Sequence, residues 1–247
     1  MRPGPAFVCL LLVLAATCAL ATDDDPYLWL EEVDGEKALQ WVEERSARDT
    51  AELEAEPVFE EVHQELLEIY NSSDRIPYVS VRGSWLYNFW RDAEHVRGLW
   101  RRTFLDQYLQ DEPVWETVLD FDQLAEDEGE NWVFKGASPL EPDYRYWLVS
   151  LSRGGGDATV VREFDAVAKT WREDGFFVPE AKSSVSWKDA DTVWIGTDFG
   201  EGSLTDSGYP RLVKEWRRGT PLEDAKTIYA GEQTDVSVGA YTMRTPE

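Results

Sequence analysis

The residue types that do chemistry are sparse in this chain, and their spacing assembles no reaction centre. His63 and His95 are its two histidines, and Cys9 and Cys18 its two cysteines. That is too few soft ligands for a Cys/His metal site. A serine nucleophile of the hydrolase kind sits on a G-x-S-x-G turn between a strand and a helix. The nearest approach, Gly136-Ala137-Ser138-Pro139-Leu140, lacks the closing glycine and has a proline where the helix should begin. Gly154-Gly155-Gly156 has the glycine content of a phosphate loop, but no Lys-Ser or Lys-Thr follows it. It reads as a hairpin turn. Asp189 and Asp191 alternate as calcium ligands do, without the glycine and distal glutamate of a binding loop, and read as a turn. The pairs Arg101-Arg102 and Arg217-Arg218 have the chemistry to meet a peptide carboxylate. Pairing with the chain's own acids is the favoured reading. No catalytic residue, cofactor site or metal ligand is assigned.

The elements that would position such groups follow from composition and pattern. The 247 residues are 43% hydrophobic and 13% aromatic, with Trp 12, which suits a packed chain rather than a disordered one. The formal charge of -25 argues against nucleic acid or an anionic membrane as partner. Residues 1–21 read as a secretory signal peptide: Arg2 is the positive start, Phe7–Leu14 the apolar stretch, and Ala19-Leu20-Ala21 the small-x-small cleavage site, marked by Ala19 and Ala21. Its removal takes both cysteines and Arg2, so the mature chain carries -26 and no disulfide. The expectation is an exported protein, periplasmic or extracellular, with no membrane anchor in the mature chain.

From Asp34 to about Glu54 the pattern is helical, with Asp34 as cap and Ala38, Leu39, Val42 and Arg45 at three- and four-residue spacing. Pro57 opens a second helix with the stripe Val58, Val62, Leu66 and Tyr70, thickened by Phe59 and Ile69 and ended by Asn71-Ser72-Ser73-Asp74. Both stripes read as core packing, and His63, off the stripe, as a solvated helix residue. After Ile76 the pattern turns to short strands, from Tyr78–Val81 and Trp85–Trp90 through to Arg211–Trp216 and Thr227–Ala230. No helical pattern of βαβ type intervenes, so the sheets should be antiparallel. The run Glu126-Asp127-Glu128-Gly129-Glu130 reads as a solvated loop, and the tryptophans as core. The strands repeat: Leu86–Trp90, Tyr146–Ser150 and Thr192–Gly196 each lead an Arg- or Lys-bearing strand and then an apolar one. The offsets are about 46 to 60 residues, the scale of a β-propeller blade. The fold class is therefore mainly β, a partial β-propeller of about three blades with a fourth beginning near Asp235, preceded by two N-terminal α-helices.

Three segments give this pattern a family. DPYLWLEE, from Asp25 to Glu32, resembles the opening motif of the prolyl oligopeptidase family of serine peptidases. LSRGGGDATVVREFD, from Leu151 to Asp165, and SGYPRLVKEWRRGTPLEDA, from Ser207 to Ala225, are similar to propeller segments of its bacterial members. The resemblance covers Asp25 to Glu247. It implies a seven-bladed propeller inserted into an α/β-hydrolase domain that carries a Ser/Asp/His triad, the propeller acting as a size filter for short peptides. Residues 22–74 would then be the helical segment that packs on the hydrolase domain, and residues 75–247 an incomplete propeller. Neither histidine matches the family's catalytic histidine, which lies near the C-terminus, so no triad residue is carried over.

Two functional classes follow. One is the N-terminal, substrate-gating part of a secreted serine oligopeptidase that meets short peptide substrates through a catalytic domain outside this sequence. The alternative is a free-standing, non-enzymatic peptide-binding module. Under the first, the isolated chain is expected to aggregate through its open blade edge and to hydrolyse no peptide.

Overall fold

The computed structural model describes residues 25–245 apart from Val33 and Ser73. The expected signal peptide, with Ala19 and Ala21, lies outside the described residues. The chain divides into two compact units, the first ending at Leu66 and the second starting at Leu67.

The N-terminal part holds a 3-10 turn at Leu28–Glu31 followed by helices α1 (Glu36–Glu54) and α2 (Phe59–Asn71). Trp29 meets Trp41 edge to face with centroids 6.1 Å apart, and the Lys37 ammonium sits 3.9 Å above the Trp29 ring. Three expectations are corrected here. The residue at the start of α1 is Gly35, with no side-chain cap bond, rather than Asp34. Pro57 lies in the turn before α2, which begins two residues later. The stripes are not core: only Ala38 is buried, while Leu39, Val42, Val58, Val62, Leu66, Ile69 and Tyr70 are exposed. Periodicity creates an apolar face, but burial needs an opposing surface. His63 stacks on Phe59 and lies 3.9 Å from Glu60, a surface helix residue as expected.

The second unit is three antiparallel meanders. β1 (Ser80–Arg82), β2 (Trp85–Trp90), β3 (Leu99–Phe104) and β4 (Glu116–Asp120) pair in sequence order. β5 (Trp132–Pro139), β6 (Tyr146–Arg153) and β7 (Thr159–Asp165) follow, and the outer edge of β7 is shared by β8 (Thr170–Trp171) and β9 (Phe177–Ala181). β10 (Ser184–Asp189), β11 (Thr192–Gly196), β12 (Leu212–Arg217) and β13 (Lys226–Ala230) form the third sheet. These are three successive propeller blades, at the repeat predicted. Residues 231–245 form no strand; they are strapped to the third blade, where Ser186 Oγ donates to the Ala240 carbonyl at 2.6 Å and Trp194 Nε1 to Thr242 Oγ1 at 3.0 Å.

Two short helices interrupt the strands, α3 (Leu105–Tyr108) and α4 (Phe121–Glu128). The second corrects the reading of the acidic run as a loop. The Asp120 carboxylate accepts from Asp122 N–H and Gln123 N–H at 2.9 and 3.1 Å, and Gly129 closes the helix in the left-handed region at φ 66°. Phe121, Leu124 and Ala125, at helical spacing, are buried. Capping and a short apolar stripe outweigh the local acidity. Within the run, Glu128 pairs with Arg162 at 2.8 Å and accepts from the Trp132 indole at 2.8 Å.

Aromatic clusters fill the two gaps between blades. Tyr87 and Trp100 of the first blade meet Trp147 of the second with centroids 4.8 Å away in each case. Phe176 of the second blade meets Trp187 and Trp216 of the third at 5.8 and 5.0 Å. Polar ties complete each gap: Lys169 bridges to Glu116 at 3.0 Å, and Glu163, 1% exposed, takes both Arg218 Nη atoms at 2.7 and 3.1 Å. Glu163 also accepts from Arg172 at 3.1 Å and from Phe176 N–H at 2.9 Å.

Removing the charge of Glu163 leaves two guanidiniums without their shared acceptor. Glu163→Gln is expected to cost about 3 kcal/mol, as for breaking a buried pair, read as a lowered urea midpoint of the full-length protein. Glu116 generates a pH prediction. Its bond from Arg102, with that from Lys169 and against the opposing effect of burial, holds its carboxyl below the usual range. A depressed folded-state pKa stabilises above the unfolded value and is lost as pH falls through the folded one. Stability is therefore expected to drop on acidification below about pH 4.3, with a smaller drop in Glu116→Gln, measured by melting temperature between neutral pH and pH 3.

Candidate functional site

A propeller's working surface lies where the first strand of each blade borders the axis, so β1, β5 and β10 define the place to look. They are brought together by packing rather than by sequence proximity. Trp187 on β10 donates its indole N–H to the Ser138 carbonyl on β5 at 2.9 Å. A cleft of about 190 Å³ separates β1 and β2 from β5, with Ser80, Arg82, Asn88 and Gly136 on its walls. A second, of about 270 Å³, is bordered by Arg82, Ser138, Glu141, Ser186 and Arg244. Arg244 is anchored there by its Nη1 bond to the Glu141 carbonyl at 2.7 Å, while Arg82 bonds the Val81 carbonyl at 2.8 Å. This surface mixes small side chains, backbone carbonyls and two cations. It can hold an extended chain through hydrogen bonds and attract a carboxylate, and it contains no nucleophile–base pair.

Of the residues singled out from the sequence, Gly136 and Ser138 border these clefts through β5, and the arginine pairs fall elsewhere. Arg102 is buried against Tyr87 and Trp85 and pairs with Glu116 at 3.0 Å. Burial alone would lower its pKa, but the bonds it donates to Glu116 and Tyr87 raise it. Arg218 is committed to Glu163, and Arg217 is exposed. Pairing with internal acids holds for Arg102 and Arg218. Arg101 departs from it: its guanidinium lies 4.3 Å from both the Trp90 and Trp115 rings, and Nε donates to Asn88 Oδ1 at 2.8 Å. Burial pushes its pKa down to about 10, with Asp92 opposing and Arg75 reinforcing the fall.

Gly154 and Gly155 turn the hairpin between β6 and β7 at φ 67° and 92°. The Asp189 carboxylate accepts from Asp191 N–H at 2.9 Å, the expected turn. Gly136 to Pro139 lie in strand β5, so Ser138 stands on no elbow. His95 Nδ1 is 2.9 Å from Asp92 Oδ1 within one tight loop. Among the described residues no group of three or more His, Cys, Asp or Glu could hold a metal, and no helix is long and apolar enough to cross a membrane. Arg82, Glu141 and Arg244 carried no sequence signal, because each stands alone in its segment and only the blade stacking joins them.

A profile of the prolyl oligopeptidase N-terminal β-propeller domain matches residues 21–245. An uncharacterized peptidase of Sinorhizobium fredii is 40% identical over 221 residues, covering 89% of this chain and 30% of its own length. One of Rickettsia prowazekii is 30% identical over 220 residues, covering 86% and 30%. The chain thus spans about 30% of the length of the curated relatives it matches. Among solved structures, that of a post-proline cleaving enzyme from Rickettsia typhi superposes with a TM-score of 0.80 at 31% identity, covering 87% of this chain and 32% of that one. Oligopeptidase B from Trypanosoma brucei, at 20% identity and a TM-score of 0.59 over 84% of this chain and 28% of that one, shares the fold. The chain belongs to the prolyl oligopeptidase family, and its three blades are part of that family's N-terminal β-propeller domain.

Proposed function

We propose that this chain is the N-terminal, substrate-gating portion of an exported serine-type oligopeptidase that hydrolyses short peptides. The observation that carries the reading is the match of three consecutive blades, at 31% identity and a TM-score of 0.80, to a structure described as a post-proline cleaving enzyme. Gating is the role left to a region without a nucleophile–base pair among its described residues. The clefts beside the first strands of the blades, of about 190 and 270 Å³, are lined by strand residues, small side chains, Arg82 and Arg244, a surface suited to an extended peptide. The exposed stripe Val58, Val62, Leu66 and Tyr70 supplies an apolar face for an α/β-hydrolase domain carried elsewhere in the protein. Export rests on the pattern of residues 1–21, with cleavage after Ala21.

The full-length protein is expected to release the fluorophore from a short post-proline peptide substrate, to lose that activity on treatment with a serine-directed phosphonate, and to leave a folded protein substrate intact. Turnover indifferent to the phosphonate, or equal cleavage of the folded substrate, overturns the reading. N-terminal sequencing of the protein recovered from outside the cytoplasm is expected to begin at Thr22. Recovery with Met1 intact argues against export.

A further inference from the structure

We propose that Arg91 and Arg97 form a carboxylate-binding subsite on the first blade, which takes a peptide carrying a carboxylate beside an apolar side chain. The inference rests on the peptide-processing reading above for its ligand class, and on the following geometry for its place. The loop joining β2 to β3 and the start of β5 enclose a cleft of about 470 Å³, floored by Phe89, Val96 and Phe134 and walled by Arg91, Arg97 and Asp122. That volume falls in the range of small-ligand sites, where an apolar lining carries a few placed polar groups.

The two arginines are held in a way that leaves their charge available. Arg91 Nε donates to the Val96 carbonyl at 2.7 Å, and its Nη atoms have no acceptor among the described residues. Arg97 Nη1 bonds Asn131 Oδ1 and the Trp132 carbonyl, leaving Nε and Nη2 without one. Neither guanidinium lies within ion-pair distance of a carboxylate among the described residues. Arg153, Arg162, Arg172 and Arg218 on the other blades are all paired with acids. Arg75, Arg82, Arg211 and Arg244 are likewise anchored on backbone carbonyls without an acid partner among the described residues. Arg91 and Arg97 are set apart by lining this apolar-floored cleft together.

The acids nearby are already engaged. The Asp122 carboxylate accepts from Arg97 N–H at 3.1 Å and Gly98 N–H at 3.2 Å, which orients the arginine. The Asp92 carboxylate accepts from Glu94 N–H, His95 N–H and the Trp90 indole N–H at 2.8 to 3.0 Å. Glycine is required at the hinge of this loop: Gly98 has φ 108°, and a Cβ there would lie 2.5 Å from the Phe89 ring. The loop is thereby pressed onto its aromatic floor with both guanidiniums at the rim. Unpaired guanidinium donors beside exposed apolar side chains are what recognition of a carboxylate next to an apolar group uses.

The test is calorimetric titration of the full-length, phosphonate-treated protein with three forms of one short peptide: free C-terminal acid, C-terminal amide, and amide with an internal glutamate. The acid or the glutamate form is expected to bind about tenfold tighter than the neutral amide, the worth of one charge-assisted hydrogen bond. Preference for the free acid alone identifies a C-terminal carboxylate as ligand, and preference for the glutamate form a side chain. Arg91→Gln and Arg97→Gln should each reduce the discrimination severalfold. Arg91→Gln keeps the test valid if the more buried Arg97 variant fails to fold. Arg217→Gln, an exposed cation on the third blade, should leave it intact. Equal binding of all three peptides, or discrimination that survives in Arg91→Gln and a folded Arg97→Gln or is lost in Arg217→Gln, overturns the proposal. Turnover of a neutral post-proline substrate before phosphonate treatment separates the cases: turnover without discrimination removes this subsite and leaves the peptidase reading standing, and no turnover removes that reading.

Discussion

A carboxylate taken out of water at the outer edge of the second blade holds the propeller's geometry together. Glu163 sits on β7 where the outer edge is divided between β8 and β9. Its side chain fills the break, accepting Phe176 N–H and Arg172, while Arg218 reaches across from the third blade to grip both oxygens. Dehydrating a carboxylate costs several kcal/mol unless it is met by well-placed donors, and here two guanidiniums and an amide meet it. The turn that delivers Phe176 is built around it, since a Cβ on Gly175 would come within 2.8 Å of the Glu163 Cβ. Strand pairing, turn shape and blade angle thus converge on one side chain.

Around that point the blades stack by aromatic contact and are sealed by charge at their rims. Flat, twisted sheets leave wedge-shaped gaps, and indole and phenyl rings fill them with large apolar area and few rotamers. Trp147 and Phe164 serve one gap, and Phe176, Trp187 and Trp216 the other. The rims are closed by Glu116 with Arg102 and Lys169, and by Glu128 with Arg162. The acids that give the chain its large negative charge are therefore partly structural, while the cations on the loop joining β2 to β3 are not consumed in the same way.

The sequence disclosed the blades because each strand is short, apolar or aromatic, and bounded by turn residues. Leu86–Trp90, Tyr146–Ser150 and Thr192–Gly196 recur as the second strand of each blade with a spacing that a repeated meander explains. Helix α4 escaped notice because five acidic-run residues masked an Asp cap, a buried Phe121 and a closing Gly129. β8 is two residues long and carries no pattern at all. The stripe of α2 announced a buried face, but periodicity cannot say what buries it. The axial surface was illegible for a different reason: Arg82, Glu141 and Arg244 belong to three distant segments, and only the stacking of rigid sheets makes them neighbours.

The stacking of guanidiniums on rings bears on how this region can drift over evolutionary time. Arg101 is clasped by Trp90 and Trp115, Arg102 lies on Trp85, Arg162 on Trp171 and Arg218 on Phe176. A lysine at any of these places retains the charge and loses the flat, weakly hydrated plane and the paired donors. Exchanges between the two basic residues, among the commonest in protein lineages, are therefore closed at these positions. The cations and their rings are bound to change together or to remain as they are.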